Sequence, residues 1–96
     1  MQDLQAIEKH KRTLAQQTGE AACRTRMLIA ELYLRRGDSQ TAAWWYLEAA
    51  RGWWRAAQPF KATVALEKVL RADPGHEEAA RLLEELHEKL GLPKTG

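Results

Sequence analysis

Apolar and polar positions alternate with a helical period along the whole chain, and the strongest run is Ala42 to Ala57, AAWWYLEAARGWWRAA. At about 100° per residue, Ala42, Tyr46, Ala49, Ala50, Trp53 and Ala57 gather on one face of a helix, and Glu48, Arg51 and Arg55 on the opposite one. Trp45 and Trp54 fall on the two flanks. A helix apolar over more than half its circumference needs neighbours on both sides, so this segment is predicted to be central. Trp44 breaks the pattern, because it projects from the middle of the charged stripe beside Glu48, Arg51 and Arg55.

The flanking segments carry the same period with clear stops. From Asp3 to about Gln17, Leu4, Ile7 and Leu14 share one side, and Gly19 follows, which reads as an N-terminal helix covering the next one. The second helix, about Glu20 to Arg36, turns Ala22, Ile29, Ala30 and Tyr33 inward, with Leu32 at the margin and Arg24, Glu31 and Arg35 opposite. Gly37 ends it, and Asp38 or Ser39 offers a side-chain oxygen to cap the third helix. Pro59 suits the first turn of a fourth helix, about Pro59 to Ala72, with Ala62, Ala65, Leu66 and Val69 as its stripe. Asp73-Pro74-Gly75 breaks the chain. A fifth helix, about His76 to Leu90, repeats the stripe through Ala79, Leu82, Leu83, Leu86 and Leu90. Glu77 and Glu78 lie at its positive end, Lys89 at its negative end, and Gly91 follows. Nothing alternates as a strand would, so the fold class is all-α, with short links that make successive helices antiparallel. A single domain is expected over residues 1–91: a covering helix in 1–19, helical hairpins in 20–57 and 58–91, and a short tail in 92–96.

The chain also resembles itself at a spacing of twenty residues. Ile29-Ala30, Tyr33 and Gly37 recur as Ala49-Ala50, Trp53 and Ala57, and Ala42, Tyr46 and Ala49 recur as Ala62, Leu66 and Val69. In this the segment LIAELYLRRGDSQTAAWWYLEAA resembles the tetratricopeptide repeat family, in which a small residue (Ala30) and an aromatic (Tyr33) precede a glycine turn (Gly37), and Ala42, Tyr46 and Ala49 follow. KATVALEKVLRADP is similar to a second helix of that repeat with its closing proline, Pro74, and EEAARLLEELHEKLG to the helix that ends such arrays. The likeness covers about residues 22–91. It departs from the family where the third helix must serve two repeats at once and Ala57 stands in place of the turn glycine.

The resemblance implies a right-handed array of helical hairpins that binds a peptide in a groove lined by first helices. Carried over residue by residue, it places Arg24, Met27, Glu31, Leu34 and Arg35 in that groove, joined by Trp44, Leu47, Arg51, Trp54 and Arg55 if the registers overlap. Indole rings between guanidinium groups would favour an acidic segment with an apolar anchor. The family's lysine and asparagine clamp for carboxylates is not matched, since Met27 and Glu31 occupy two of its places. A plainer role exists for Trp45, Trp53 and Trp54 as core or flank of a helix packed on both sides.

Composition narrows the function further. At 96 residues, 45% hydrophobic and 29% charged, the chain excludes disordered and collagen-like classes. No apolar run is long enough to span a membrane, and MQDLQAIEKHKR lacks a signal-peptide core, so the expected location is cytoplasmic. The net charge of +2 hides ten basic against six acidic residues in 1–61 and five against seven in 62–96. That asymmetry is too small for a nucleic-acid surface and suits an acidic peptide or head-to-tail self-association. His10, His76 and His87 sit on separate segments with no ligand at metal spacing, and Cys23 has no His-acid pair, so neither metal, cofactor nor catalysis is expected. The acids of the fifth helix read as a polar face. LPKTG at 92–96 coincides with a sortase recognition motif but lacks the apolar stretch and basic tail that motif precedes, and reads as a helix stop. These features describe a non-catalytic cytoplasmic adaptor for a protein or peptide, with a self-assembling homo-oligomer built on Trp44 as the alternative.

Overall fold

Chain punctuation decides where the helices begin and end. In the computed structural model, which describes residues 2–91, they are α1 (Gln2–Leu14), α2 (Gly19–Arg35), α3 (Ser39–Arg55), α4 (Pro59–Ala72) and α5 (Glu77–Leu90). The LPKTG motif lies outside the described residues. Between α2 and α3 the Gly37 N–H donates to the Leu34 carbonyl at 2.9 Å and the Asp38 N–H to the Tyr33 carbonyl at 3.0 Å. This pair of bonds closes a helix only when the residue after the cap is left-handed, and Gly37 has φ +83°. Asp38 then caps α3, its Oδ1 accepting the Thr41 N–H at 3.1 Å.

Twenty residues later the same turn recurs without its glycine. Ala57 N–H donates to the Trp54 carbonyl at 3.0 Å and Gln58 N–H to the Trp53 carbonyl at 2.9 Å, with Ala57 held at φ 58°. The backbone repeats at the spacing seen in the sequence, and the alanine bears the strain of a left-handed conformation.

Two helix ends differ from the sequence reading. α1 stops at Leu14, because Gln16 and Gln17 donate to the Thr13 and Leu14 carbonyls in a tight turn, and Gly19, at φ +60°, opens α2 instead of closing α1. The turn is tied down where the buried Thr25 hydroxyl donates to Gln17 Oε1 at 2.6 Å. His76 precedes α5 and does not belong to it: its Nδ1 accepts the Ala79 N–H at 3.1 Å, replacing the Ser, Asp or Asn that usually does this.

Each helix packs chiefly on its neighbours in the chain, with α3 held between α2 and α4. The helices zigzag between two layers, α3 and α5 in one and α2 and α4 in the other, since one cavity is lined by α3, α4 and α5 and another by α2, α3 and α4; the Cα extents are 42 × 27 × 15 Å. Buried alanines, among them Ala30, Ala42, Ala49, Ala50, Ala62, Ala65 and Ala79, let helices approach closely, while Ile29, Tyr46, Leu66 and Val69 fill the space between turns. At Gly52 α3 approaches α2 closely: a Cβ there would lie 2.5 Å from the Cys23 Sγ, so a side chain at this position would force the buried thiol to shift. Burial pushes the Cys23 thiol and the Tyr46 hydroxyl above their ordinary pKa values, although Arg26 beside the thiol opposes the shift. α1 covers both layers' edge: Lys11 Nζ donates to the Tyr33 hydroxyl at 3.0 Å and lies 5.9 Å from the centre of the Trp45 ring. Among the described residues no strand forms, and no helix is long and apolar enough to cross a membrane.

Candidate functional site

Two helices of one layer leave a furrow between them, floored by the helix of the other layer that joins them. Between α3 and α5 this furrow is a groove of about 350 Å³ with Ala62 and Leu66 of α4 at its base. α3 supplies Ala50, Arg51, Trp54 and Arg55 as one wall, and α5 supplies Glu78, Leu82, Glu85, Leu86 and Lys89 as the other. Small alanines at the base make room, and Leu66, Leu82 and Leu86 make it apolar.

The groove opens toward the C-terminal end of α3. Leu47 and Trp54, seven residues apart, lie on one line of that helix, yet Leu47 is 5% exposed and Trp54 46%. Trp54 is held in place from across the groove by Lys89, whose Nζ sits 4.9 Å from the ring centre. At the other end Arg51 closes the wall: Nη1 donates to Glu48 Oε2 at 2.9 Å, and Nη2 donates to Glu78 on α5. These hydrogen bonds, the one to Glu78 first, keep the Arg51 guanidinium protonated above its usual pKa. Arg55 and Glu85, by contrast, form no ion pair among the described residues, although they stand on opposing walls.

A second furrow runs between α2 and α4, of about 440 Å³ and more open to solvent, lined by Arg24, Met27 and Leu28 of α2 and Lys61 and Val64 of α4. Its floor is Trp53 of α3, 5% exposed, with Lys61 Nζ 4.9 Å from the ring centre.

The residues proposed from the sequence for one groove are therefore divided. Arg24 and Met27 line the α2/α4 furrow, whereas Arg51, Trp54 and Arg55 line the α3/α5 groove. Glu31, Leu34, Arg35 and Trp44 are exposed but border neither. Leu47 lines neither furrow and belongs to the buried core, because α3 is enclosed along most of its length. Trp44 stands 55% exposed, edge-on to Trp45 with ring centres 5.0 Å apart. The α5 wall is an addition from the structure: Glu78 and Glu85, which read as a polar face in the sequence, line the groove. Its signal is the spacing of Glu78, Leu82, Glu85 and Lys89, which places all four on one side of the helix.

Among the described residues no group of three or more His, Cys, Asp or Glu side chains is placed to hold a metal ion. No protein-family model, curated protein or solved structure matches the chain.

Proposed function

We propose that this protein is a non-catalytic adaptor of tetratricopeptide-like hairpins, working in the cytoplasm, and that its α3/α5 groove captures a segment of a partner protein. The supporting observation is the exposed Trp54 indole beside an apolar lining of Ala62 and Leu66 at the base and Leu82 and Leu86 on the α5 wall, with Arg55 at the rim. Aromatic and arginine side chains at the mouth of an apolar pocket are the groups that dominate binding hot spots. An apolar anchor from the partner would displace water from the base, and a partner carboxylate would meet Arg55. Helices already packed in place lose little entropy on capture.

The test is recovery of partners from native extract by the wild type and by Trp54→Ala, with circular dichroism confirming that both are folded. A protein retained by the first and released by the second supports the groove. Equal recovery by both overturns it.

A second reading is self-assembly, favoured by the exposed Trp44 outside both furrows. Light scattering decides it: an oligomer dissolved by Trp44→Ala supports self-assembly, and a monomeric wild type removes it.

A further inference from the structure

Resting on the groove reading above, we infer that the occupant is a short amphipathic helix carrying charges of opposite sign on its two flanks, and not a uniformly acidic segment. Arg55 on the α3 wall and Glu85 on the α5 wall face the same apolar base, and among the described residues neither has an ion-pair partner. The other charges at the rim are already engaged. Arg51 is shared between Glu48 and Glu78, and Lys89 lies over Trp54, although Lys89 is one turn from Glu85 and could have paired with it. What the groove offers a newcomer is one cation on one side and one anion on the other.

The shape of the base points to a helix. Ala62 with Leu66 at the base, and Leu82 with Leu86 on the α5 wall, are pairs four residues apart on helices, so the apolar lining is a set of helical ridges. Such a surface accepts apolar side chains that are themselves spaced one turn apart, and about 350 Å³ holds a pair of them. A carboxylate beside that pair then reaches Arg55, and a Lys or Arg on the other flank reaches Glu85. A purely acidic helix would bring a carboxylate against Glu85, and like charges at an interface are rejected.

The experiment uses a displayed library of random helix-length peptides, selected in parallel on four immobilised forms of the full chain: wild type, Arg55→Glu, Glu85→Lys and Trp54→Ala. Reversing one wall at a time avoids a peptide simply binding in the opposite direction. The wild type is expected to enrich peptides with an apolar pair one turn apart, an acid on one flank, a base on the other and a mean charge near zero. Arg55→Glu, with two acidic walls, should shift the enriched set to net positive. Glu85→Lys should shift it to net negative. Individual wild-type peptides should bind each reversed form about tenfold more weakly. Peptides that need Trp54 but keep one mean charge on all three baits would overturn the bipolar occupant while leaving the groove reading intact. A strongly acidic set on the wild type would overturn it likewise. No enrichment dependent on Trp54 would remove both.

Discussion

The α3/α5 groove and the α2/α4 furrow are built the same way, from two helices of one layer and the helix between them in the other. They differ in what forms the floor. Under α3/α5 the base is Ala62 with Leu66, and the small side chains of Ala62 and of Ala50 in the α3 wall leave room, whereas under α2/α4 it is the Trp53 indole, which fills the floor and leaves an open depression. They differ in their rims as well. Lys61 at the α2/α4 rim is paired with Glu20 at 3.1 Å and lies over Trp53, while the α3/α5 rim keeps Arg55 and Glu85 unpaired among the described residues. One furrow thus uses its aromatic ring as packing, and the other presents it. Two adjacent tryptophans, Trp53 and Trp54, are sorted into these roles by the 100° turn between them.

The largest way to disturb this contrast is Trp53→Ala, which removes the floor of the α2/α4 furrow from the core and should cost about 3–5 kcal/mol, read as a shift in the urea midpoint. If the loss is under about 1 kcal/mol, Trp53 does not carry the packing assigned to it.

Next is Gly52→Ala, which drives a methyl group into the Cys23 Sγ between α2 and α3 and should cost about 1–3 kcal/mol in spite of alanine's better helix propensity. Combined with Cys23→Ala the penalty should shrink, and a purely additive double-mutant cycle would refute the clash. The same thiol gives a dependence on pH. The native state holds the protons of Cys23 and Tyr46 more tightly than the unfolded chain does. That stabilisation is complete at neutral pH and drains away as pH rises past the ordinary values of 9.0 and 10.0 through the raised native ones. Denaturant midpoints should therefore fall across that range, beginning near pH 9.0, and Cys23→Ala should remove the earlier part of the fall.

Smaller still, Ala57→Gly relieves the left-handed strain where α3 turns into α4, and should stabilise by about 1 kcal/mol, with Gly37→Ala costing a comparable amount at the matching turn. Equal melting points for Ala57→Gly and wild type would mean that the turn relaxes in solution.

The smallest effect on folding belongs to Arg51→Ala. Its ion pairs to Glu48 and Glu78 are partly solvated, so about 1 kcal/mol or less is expected in a thermal melt. A larger loss would make the closed end of the α3/α5 groove a structural clasp.

Most of the architecture was legible residue by residue. Gly37, Asp38, Pro59 and Gly91 mark helix ends because capping is a local matter of backbone geometry and hydrogen bonding, and the period of Ala62, Ala65, Leu66 and Val69 marks a buried face because a helix has only one repeat. The His76 cap is not legible in the same way, because an imidazole is an uncommon cap and only the folded backbone places its Nδ1 to accept the Ala79 N–H. The site was less legible. Periodicity can say that Trp54 and Arg51 leave the innermost face of α3, but not which helix stands opposite.

By itself the amino-acid sequence determined five helices, their order, their buried stripes and the twenty-residue recurrence of the turn, since each depends on groups within a few turns of one another. Only the tertiary structure decided that Arg24 and Met27 serve a different furrow from Arg51 and Trp54, that Leu47 is shut in, and that α5 supplies the facing wall. Those facts depend on how far apart two helices of one layer lie, which is set by the size of the side chains on the helix beneath them and not by any pattern within a single segment.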